Sequence, residues 1–556
     1  MQPQNPNWSA GSPRFGRKDL NDLRDAQGAD AAWRAALATD PAAALREVRG
    51  SFAVATQDAR GRTILAVDRF GVAALCYRVT PAGLAHAPRA DAIADGAELN
   101  LQALFDYLYF HVIPAPRTVF EGVLRLPPGH YAVFDAGQLR VEPYWVPEFA
   151  PERAPSFDEL RDEFRGLLES AVAREVDAER PACFLSGGTD SSTVAGMIGR
   201  TLGRPATAYS IGFGAEGYDE IEYARIAARA FGCEHREYYV TPEDLVRSIP
   251  AVAAHYDQPF GNSSAVPAFL CAAMARQDGV RKLLAGDGGD ELFGGNTRYA
   301  KQRVFGVYDH LPAALRHGLL EPFARQGLAR RVPLVRKVAS YVNQARVGMP
   351  DRMMSYNLLD RLGHAEVLTP ALRARVDVDA PLRHQRAQWQ MVRSGSLVDR
   401  MLAYDWRYTL ADCDLPKVVG TTAMAGVEVG FPLLDDELLA FSMRLPANYK
   451  VRGLRLRWFF KEALRGFLPD AIITKKKHGF GLPFGVWAHS HAGLQALAAD
   501  SLHSLARRGV VREAFVTSLF STRLAEHAGY YGEMIWILMM LEQWLQAKAP
   551  GFSVTA

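Results

Sequence analysis

Hydrophobic and polar positions alternate in short runs near the start of the chain and follow a longer period beyond it. Between about 48 and 145 the stretches "SFAVATQD", "RTILAVDRF" and "HYAVFDAGQLRVEPYW" read as strands, the last folding back on itself at "DAGQ". Among them "LNLQALFDYLYFHVI" (99–113) has helical spacing, and Pro114 and Pro116 are expected to end it. These elements predict a small α+β unit over 48–145. Residues 1–47, opening on the polar "MQPQNPNWSAGSPRFGRKD", read as a mobile leader and truncated start without the apolar core of a secretory signal. Three prolines in "VPEFAPERAPSF" (146–157) mark a linker.

From 156 the period changes. "SFDELRDEFRGLLESAVAREV" is a helix with Ser156 as N-cap and Glu159 completing a capping box. Strands and helices then alternate: "PACFLSG", a helix from Ser192 to Leu202, "ATAYSIGF", "EIEYARIAARAFG", "HREYYV". That order predicts βαβ units and a parallel sheet. After about 300 the pattern is mostly helical. The apolar "MIWILMMLEQWL" (534–545) is shorter than the ~20 residues that span a bilayer and carries Glu542 and Gln543, so it reads as a buried helix. The expected fold class is α/β: an N-terminal α+β unit, then a parallel-sheet domain over 156–556 that is largely helical toward its end.

Composition narrows the function. A chain of 556 residues exceeds the ~300 at which single cores stop growing, so at least two domains are expected. Lys plus Arg is 64 against 61 Asp plus Glu; a balance of +3 supplies no field for nucleic acid or an acidic membrane surface. Cys76, Cys183, Cys233, Cys271 and Cys413 are scattered, with no C-x-x-C pair, which suits a reduced, cytoplasmic setting.

The chemistry starts at "FLSGGTDSST" (184–193), where an apolar strand breaks into glycines and hydroxyls before a helix. Glycines let backbone N–H groups turn to one point, and the helix adds its positive end, so the loop forms an anion cradle. The usual nucleotide loop ends in Gly-Lys, a dipeptide absent from this chain. Asp190 stands here instead, and a carboxylate beside phosphates makes sense if it holds Mg²⁺. A second break of this kind follows in "LLAGDGGDELFGGNTRYA" (283–300).

Together "SGGTDSS" and "GDGGDELFGG" resemble the pyrophosphate loop and partner string of N-type ATP pyrophosphatases, in the asparagine synthetase branch; the likeness covers about 48 to 545. The resemblance implies ATP and Mg²⁺ as cofactors, and cleavage of ATP between the α- and β-phosphates to give an acyl-adenylate and pyrophosphate. It places Leu185, Ser186, Gly187, Gly188, Asp190, Ser191 and Ser192 around the nucleotide. Leu185 and Ile211 would meet adenine, Ala285 and Gly286 would border the nucleotide through their backbone, and Asp190 and Asp290 would hold the metal. "YDQPFGNSSAVPAF" (256–269) is similar to a pocket wall of the family. "DLPKVVGTTAMAGVEVGFPLLDDELL" (414–439) is similar to a segment in which Glu428 would orient or deprotonate the attacking amine. Val419-Gly420 replaces an Asp-Arg pair of the family and Gly430 the arginine that follows its glutamate, so two guanidiniums are lost, which argues against aspartate as the acid. "ITKKKHGFGLPFGVW" (473–487) places Lys477 as the cation that would steady the oxyanion and departing AMP.

In the N-terminal unit, 48–78 and 119–134 are similar to a class II glutaminase domain, whose nucleophile is a cysteine at position 2. Here position 2 is glutamine, and Cys76 falls within a strand. A degenerate unit that hydrolyses no glutamine is expected. The implied partners are a small-molecule or peptide carboxylate and an amine or ammonia donor, with no nucleic acid, no membrane and possibly a second copy of the chain. The nucleophile is ammonia, a separate amine, or an amine of the same molecule, as in lasso-peptide macrolactam cyclases and β-lactam synthetases. A non-catalytic nucleotide-binding scaffold is the reading from a different class.

Overall fold

The computed structural model describes residues 7–151, 155–215, 217–309, 311–322, 333–475 and 481–554. In chain order its first unit comprises β1 (Trp8–Gly11), α1 (Lys18–Gln27), α2 (Ala29–Leu37), α3 (Pro41–Glu47), β2 (Phe52–Gln57), β3 (Thr63–Val67), β4 (Cys76–Thr80), β5 (Gly83–Ala87), α4 (Leu101–Phe110), β6 (Leu124–Arg125), β7 (His130–Asp135) and β8 (Gln138–Pro143). The strands form an antiparallel sheet ordered β1-β2-β3-β7-β8 and a smaller one ordered β5-β4-β6. The run over 52–55 is apolar without alternation because both of its faces are covered. Phe52, Val54, Ile64 and Ala66 pack under Trp33 and Leu37 of α2, while Ala53, Ala55, Leu65 and Val67 face Tyr77 and Leu126. The turn between β7 and β8 puts Ala136 and Gly137 at φ 47° and 79°, as a two-residue hairpin loop requires.

Two expectations are corrected here. The supposed mobile leader supplies β1, which pairs with β2 from Trp8↔Ala55 to Gly11↔Phe52, and three helices that cover the sheet. Without Trp33 and Leu37 one face of β2 and β3 would lie open to water, which is why these residues order. The supposed linker is also packed: Phe149 is buried with its ring 5.3 Å from Trp406, and Trp145 stacks on the same indole at 6.2 Å.

The second unit begins with α5 (Phe157–Glu175), whose N-terminus carries the anticipated Ser156/Glu159 capping box. There follow β9 (Ala182–Phe184), α6 (Thr189–Leu202), β10 (Thr207–Phe213), α7 (Ile221–Phe231), β11 (Glu234–Val240), α8 (Pro242–His255), α9 (Ala265–Gln277), β12 (Lys282–Leu284), α10 (Gly289–Phe293) and, after a long helical excursion, β13 (Glu428–Gly430). All five strands are parallel, in the order β11-β10-β9-β12-β13. The chain leaves β9 toward β10 and β11, then returns to place β12 on the other side. A crevice therefore opens at the carboxyl ends of β9 and β12, the position where such sheets bind ligands. The C-terminal apolar stretch lies in a helix over Ala528–Lys548, buried from Met534 to Leu545. Glu542 is held inside by Arg508 at 2.8 Å and Ser504 at 2.7 Å. Among the described residues no helix is long and apolar enough to cross a membrane.

Buried ion pairs join the two units. Arg69 donates to Asp436 at 2.7 Å, with side chains 4% and 8% exposed, and Asp436 also accepts the Gly50 N–H at 2.6 Å. Arg125 reaches Asp412 at 3.2 Å, and Arg407 flanks the same carboxylate at 3.1 Å. Removing one partner of such a pair strands a charge in a dry place, a loss of about 3–5 kcal/mol. Arg69→Met is therefore expected to lower the thermal unfolding midpoint clearly, whereas the double change Arg69→Met with Asp436→Leu recovers most of it; equal midpoints for wild type and the single variant would contradict this.

Candidate active site

The loop after β9 is held by its own hydroxyls. Leu185 continues the strand, its N–H donating to the Tyr209 carbonyl at 2.8 Å. Ser191 Oγ lies 3.1 Å from both the Ser186 N–H and Ser186 Oγ, so the loop closes on the first turn of α6. Gly187 has φ 70° and passes so close to Tyr223 and Ala224 of α7 that a Cβ would collide with their backbone. The helix starts at Thr189 with Gly188 as N-cap, three residues earlier than the sequence suggested. Asp190 and Ser191 thus belong to its first turn, where the N–H groups are unused and negative charge is favoured.

The loop after β12 approaches the first from across the crevice. A Cβ on Gly286 would lie 2.7 Å from the Ser191 backbone nitrogen, and one on Gly289 would run into the Asp190 carboxylate. Only glycines allow the loops this close. Arg457, at φ 52° before the helix Trp458–Ala463, donates to both oxygens of Asp190 at 2.5 Å and also pairs with Asp290. One buried guanidinium therefore spans two carboxylates. The donor set is all oxygen, it converges from two glycine bends, and a Cβ on Gly295 would fill the same space beside Asp290. Two carboxylates are enough for Mg²⁺, which takes oxygen ligands and one or two protein carboxylates beside phosphate, but Arg457 would have to give up part of its hold on them, and among the described residues no third metal-ligating side chain joins them.

A cavity of about 1160 Å³ runs from these carboxylates along the sheet. Of the residues expected around a nucleotide, Leu185, Ser186, Gly188, Asp190, Ser191, Ile211, Gly286 and Asp290 line it. Gly187, Ser192 and Ala285 do not. Gly187 braces the loop against α7, Ser192 is fully buried under α6, and Ala285 is bound into the sheet by its N–H to the Gly430 carbonyl at 2.9 Å.

Glu428 is misplaced by the sequence reading. It opens β13 opposite Lys282, the first residue of β12, so it sits at the amino end of the sheet, exposed and outside the cavity. The segment's spacing to Pro432 and Asp435 gave no sign of which strand end it occupies. Among the carboxylates that line the cavity is Asp287, to which the sequence assigned no role. Lys417 Nζ lies 3.6 Å from Asp287 and 3.0 Å from Asp414, and Asn262 Nδ2 is 3.4 Å from Asp414. Shielding from water, with Asp414 and Asp190 nearby, pushes Asp287 up to about 6 despite the lysine. The signal was present in "GDGGD", of whose two aspartates only Asp290 was given a role.

Lys477 lies outside the described residues. Its neighbour Lys475 packs 4.3 Å from the Tyr223 ring, with Nζ 3.1 Å from Glu220 and 3.4 Å from the Gly187 carbonyl of the phosphate loop. His111, from α4 of the first unit, also reaches the cavity wall.

Comparison with known proteins places this geometry in a family. Residues 163–546 match the asparagine synthase family and residues 35–145 a glutamine amidotransferase domain. A putative glutamine-hydrolysing asparagine synthetase of Mycobacterium tuberculosis is 29% identical over 80% of this chain and 68% of its own length. Asparagine synthetase 1 of Bacillus subtilis is 22% identical over 90% and 78%. A Gibberella zeae protein named Amidase chry2 is 26% identical over 80% and 71%. The chain belongs to the asparagine synthase family, whose members are ATP-dependent ligases that form C–N bonds.

Gly286→Ala is expected to push the first turn of α6 away and weaken ATP binding at least tenfold in calorimetry, since the atoms it meets are backbone and cannot swing aside. Unchanged affinity would show that the close approach of the two loops does not shape the nucleotide site.

Proposed function

We propose that this protein activates a carboxylic acid as its acyl-adenylate, releasing pyrophosphate, and passes the acyl group to an amine or ammonia. The observation that carries this reading is the convergence of Asp190 and Asp290 beside a glycine loop at the switch point of a parallel sheet. When bound, Mg²⁺ would neutralise the phosphate oxygens there. Backbone N–H groups of the loop and the start of α6 would take the β- and γ-phosphates, and Leu185 and Ile211 would flank adenine. A carboxylate oxygen of the acid attacks the α-phosphorus, and the bond to the β-phosphate oxygen breaks.

In the second half the amine nitrogen attacks the acyl carbon, AMP departs with the bonding pair, and the nitrogen gives up a proton. Asp287 is the group on the cavity wall suited to accept it, held in place by Lys417. Lys477, for which no position is described, retains its proposed role opposite the oxyanion. The amine is not supplied by the N-terminal unit in this reading. Its one cysteine, Cys76, is buried in β4 with its thiol pushed far up by burial, so it offers no thiolate. The cavity of about 1160 Å³ has room for a nucleotide together with an acid.

With a panel of carboxylic acids, pyrophosphate release is expected with at least one; a nucleotide-binding scaffold releases none, and a kinase-like ligase gives ADP. Asp190→Ala is expected to abolish release. Asp287→Asn should keep ATP binding and slow amide formation by 10²-fold or more. Because Asp287 must be ionised to accept a proton, amide formation should climb as pH rises through about 6 and level off above it. A pH-independent rate, or full turnover in the Asn variant, would remove Asp287 from this role.

A further inference from the structure

The cavity has a corner that none of the steps above uses. His111 caps α4 at φ 65°, where glycine or asparagine would be at ease, and both its backbone groups are engaged: its N–H donates to Tyr107 at 2.7 Å, and its carbonyl accepts from Gly261 at 2.8 Å. Among the described residues the imidazole makes no hydrogen bond. Its Nε2 is buried without a hydrogen-bond partner, and Nδ1 lies 3.8 Å from Glu533, on the C-terminal helix. That gap is too long for a hydrogen bond between the two groups. It is short enough for one nitrogen to sit about 3 Å from both.

The corner is continuous with Asp287. Gly261 is tied to His111 through its N–H and to the Trp536 indole through its carbonyl at 3.0 Å. The next residue, Asn262, donates to Asp414, which pairs with Lys417, which faces Asp287. Burial drives His111 down to about 4, so its ring is neutral and can accept, while Glu533, 59% exposed at the cavity wall, supplies the carboxylate. The left-handed backbone serves the helix cap, but the imidazole it carries into the cavity has no part in that cap.

We propose that His111 and Glu533 form an ammonium-binding corner that reads the amine substrate, so the N-terminal unit, though no source of ammonia, serves as a specificity wall of the synthetase site. This rests on the reading above that the cavity receives an amine, and it narrows that amine to one that arrives as a primary ammonium and passes one proton to the Glu533 carboxylate before its freed nitrogen attacks the acyl carbon.

The test is calorimetric titration of the full chain with n-butylammonium chloride, n-butanol as the uncharged control, and MgATP in parallel. Saturable binding of the ammonium and not the alcohol is expected. Glu533→Gln and His111→Gly should each weaken it at least tenfold, His111→Asn should recover part of it, and ATP affinity should hold throughout. His111→Gly should also unfold at or above the wild-type temperature, because glycine relieves the left-handed backbone. No saturable binding by the wild type, or wild-type affinity in both variants, would overturn the corner. Failure of the wild type to bind ATP would instead overturn the adenylation reading.

Discussion

One guanidinium lying across two carboxylates organises this molecule. Carboxylates brought to about 4 Å of each other repel by about 4 kcal/mol at an effective dielectric near 20, so Asp190 and Asp290 could not share a crevice unaided. Arg457 makes the pairing stable, from a left-handed backbone position that aims its side chain inward. The glycines follow from the same demand: Gly286 lets the second loop touch the first turn of α6, and Gly289 leaves room for the Asp190 side chain. Two carboxylates gathered in one crevice need a cation to share. The arginine supplies that charge within the fold itself.

The N-terminal unit is bound to this centre by charge as well as packing. Arg69 and Asp436 meet in a nearly dry interface, and Trp145 and Phe149 clasp Trp406, whose indole N–H in turn donates to the Glu291 carbonyl beside Asp290 at 2.9 Å. A unit fixed this firmly helps to build the wall of the cavity. Its helix α4 ends at the cavity, and the tyrosine before that end, Tyr107, donates to the Ile537 carbonyl of the C-terminal helix at 2.8 Å. The cavity wall is thus shared between the first and last parts of the chain.

Much of this was legible in the residues, and the failures have physical causes. The βαβ order, the capping box at Ser156 and the glycine breaks after two strands are local features, and they formed where expected. What escaped depends on tertiary context. Polar residues at 7–20 resembled a loose leader because the surface they complete belongs to β2 and β3. The helix over 99–113 was expected to run to its prolines, yet it stops at Phe110 because His111 turns left-handed under Gly261. Glu428 and Asp287 could not be told apart by spacing, since strand direction decides which end faces the crevice, and β13 is only three residues long. Arg457 and Lys417 carry no local signature; each is defined by the carboxylates it meets.

The central claim is that Asp190 and Asp290 together grip the metal that accompanies the triphosphate. It is tested most directly by measuring ATP affinity with and without Mg²⁺ in the wild type and in Asp290→Asn. The account predicts that Mg²⁺ tightens ATP binding to the wild type and that this gain is lost in the variant. Affinity that ignores the metal, or a gain that persists in Asp290→Asn, would contradict it.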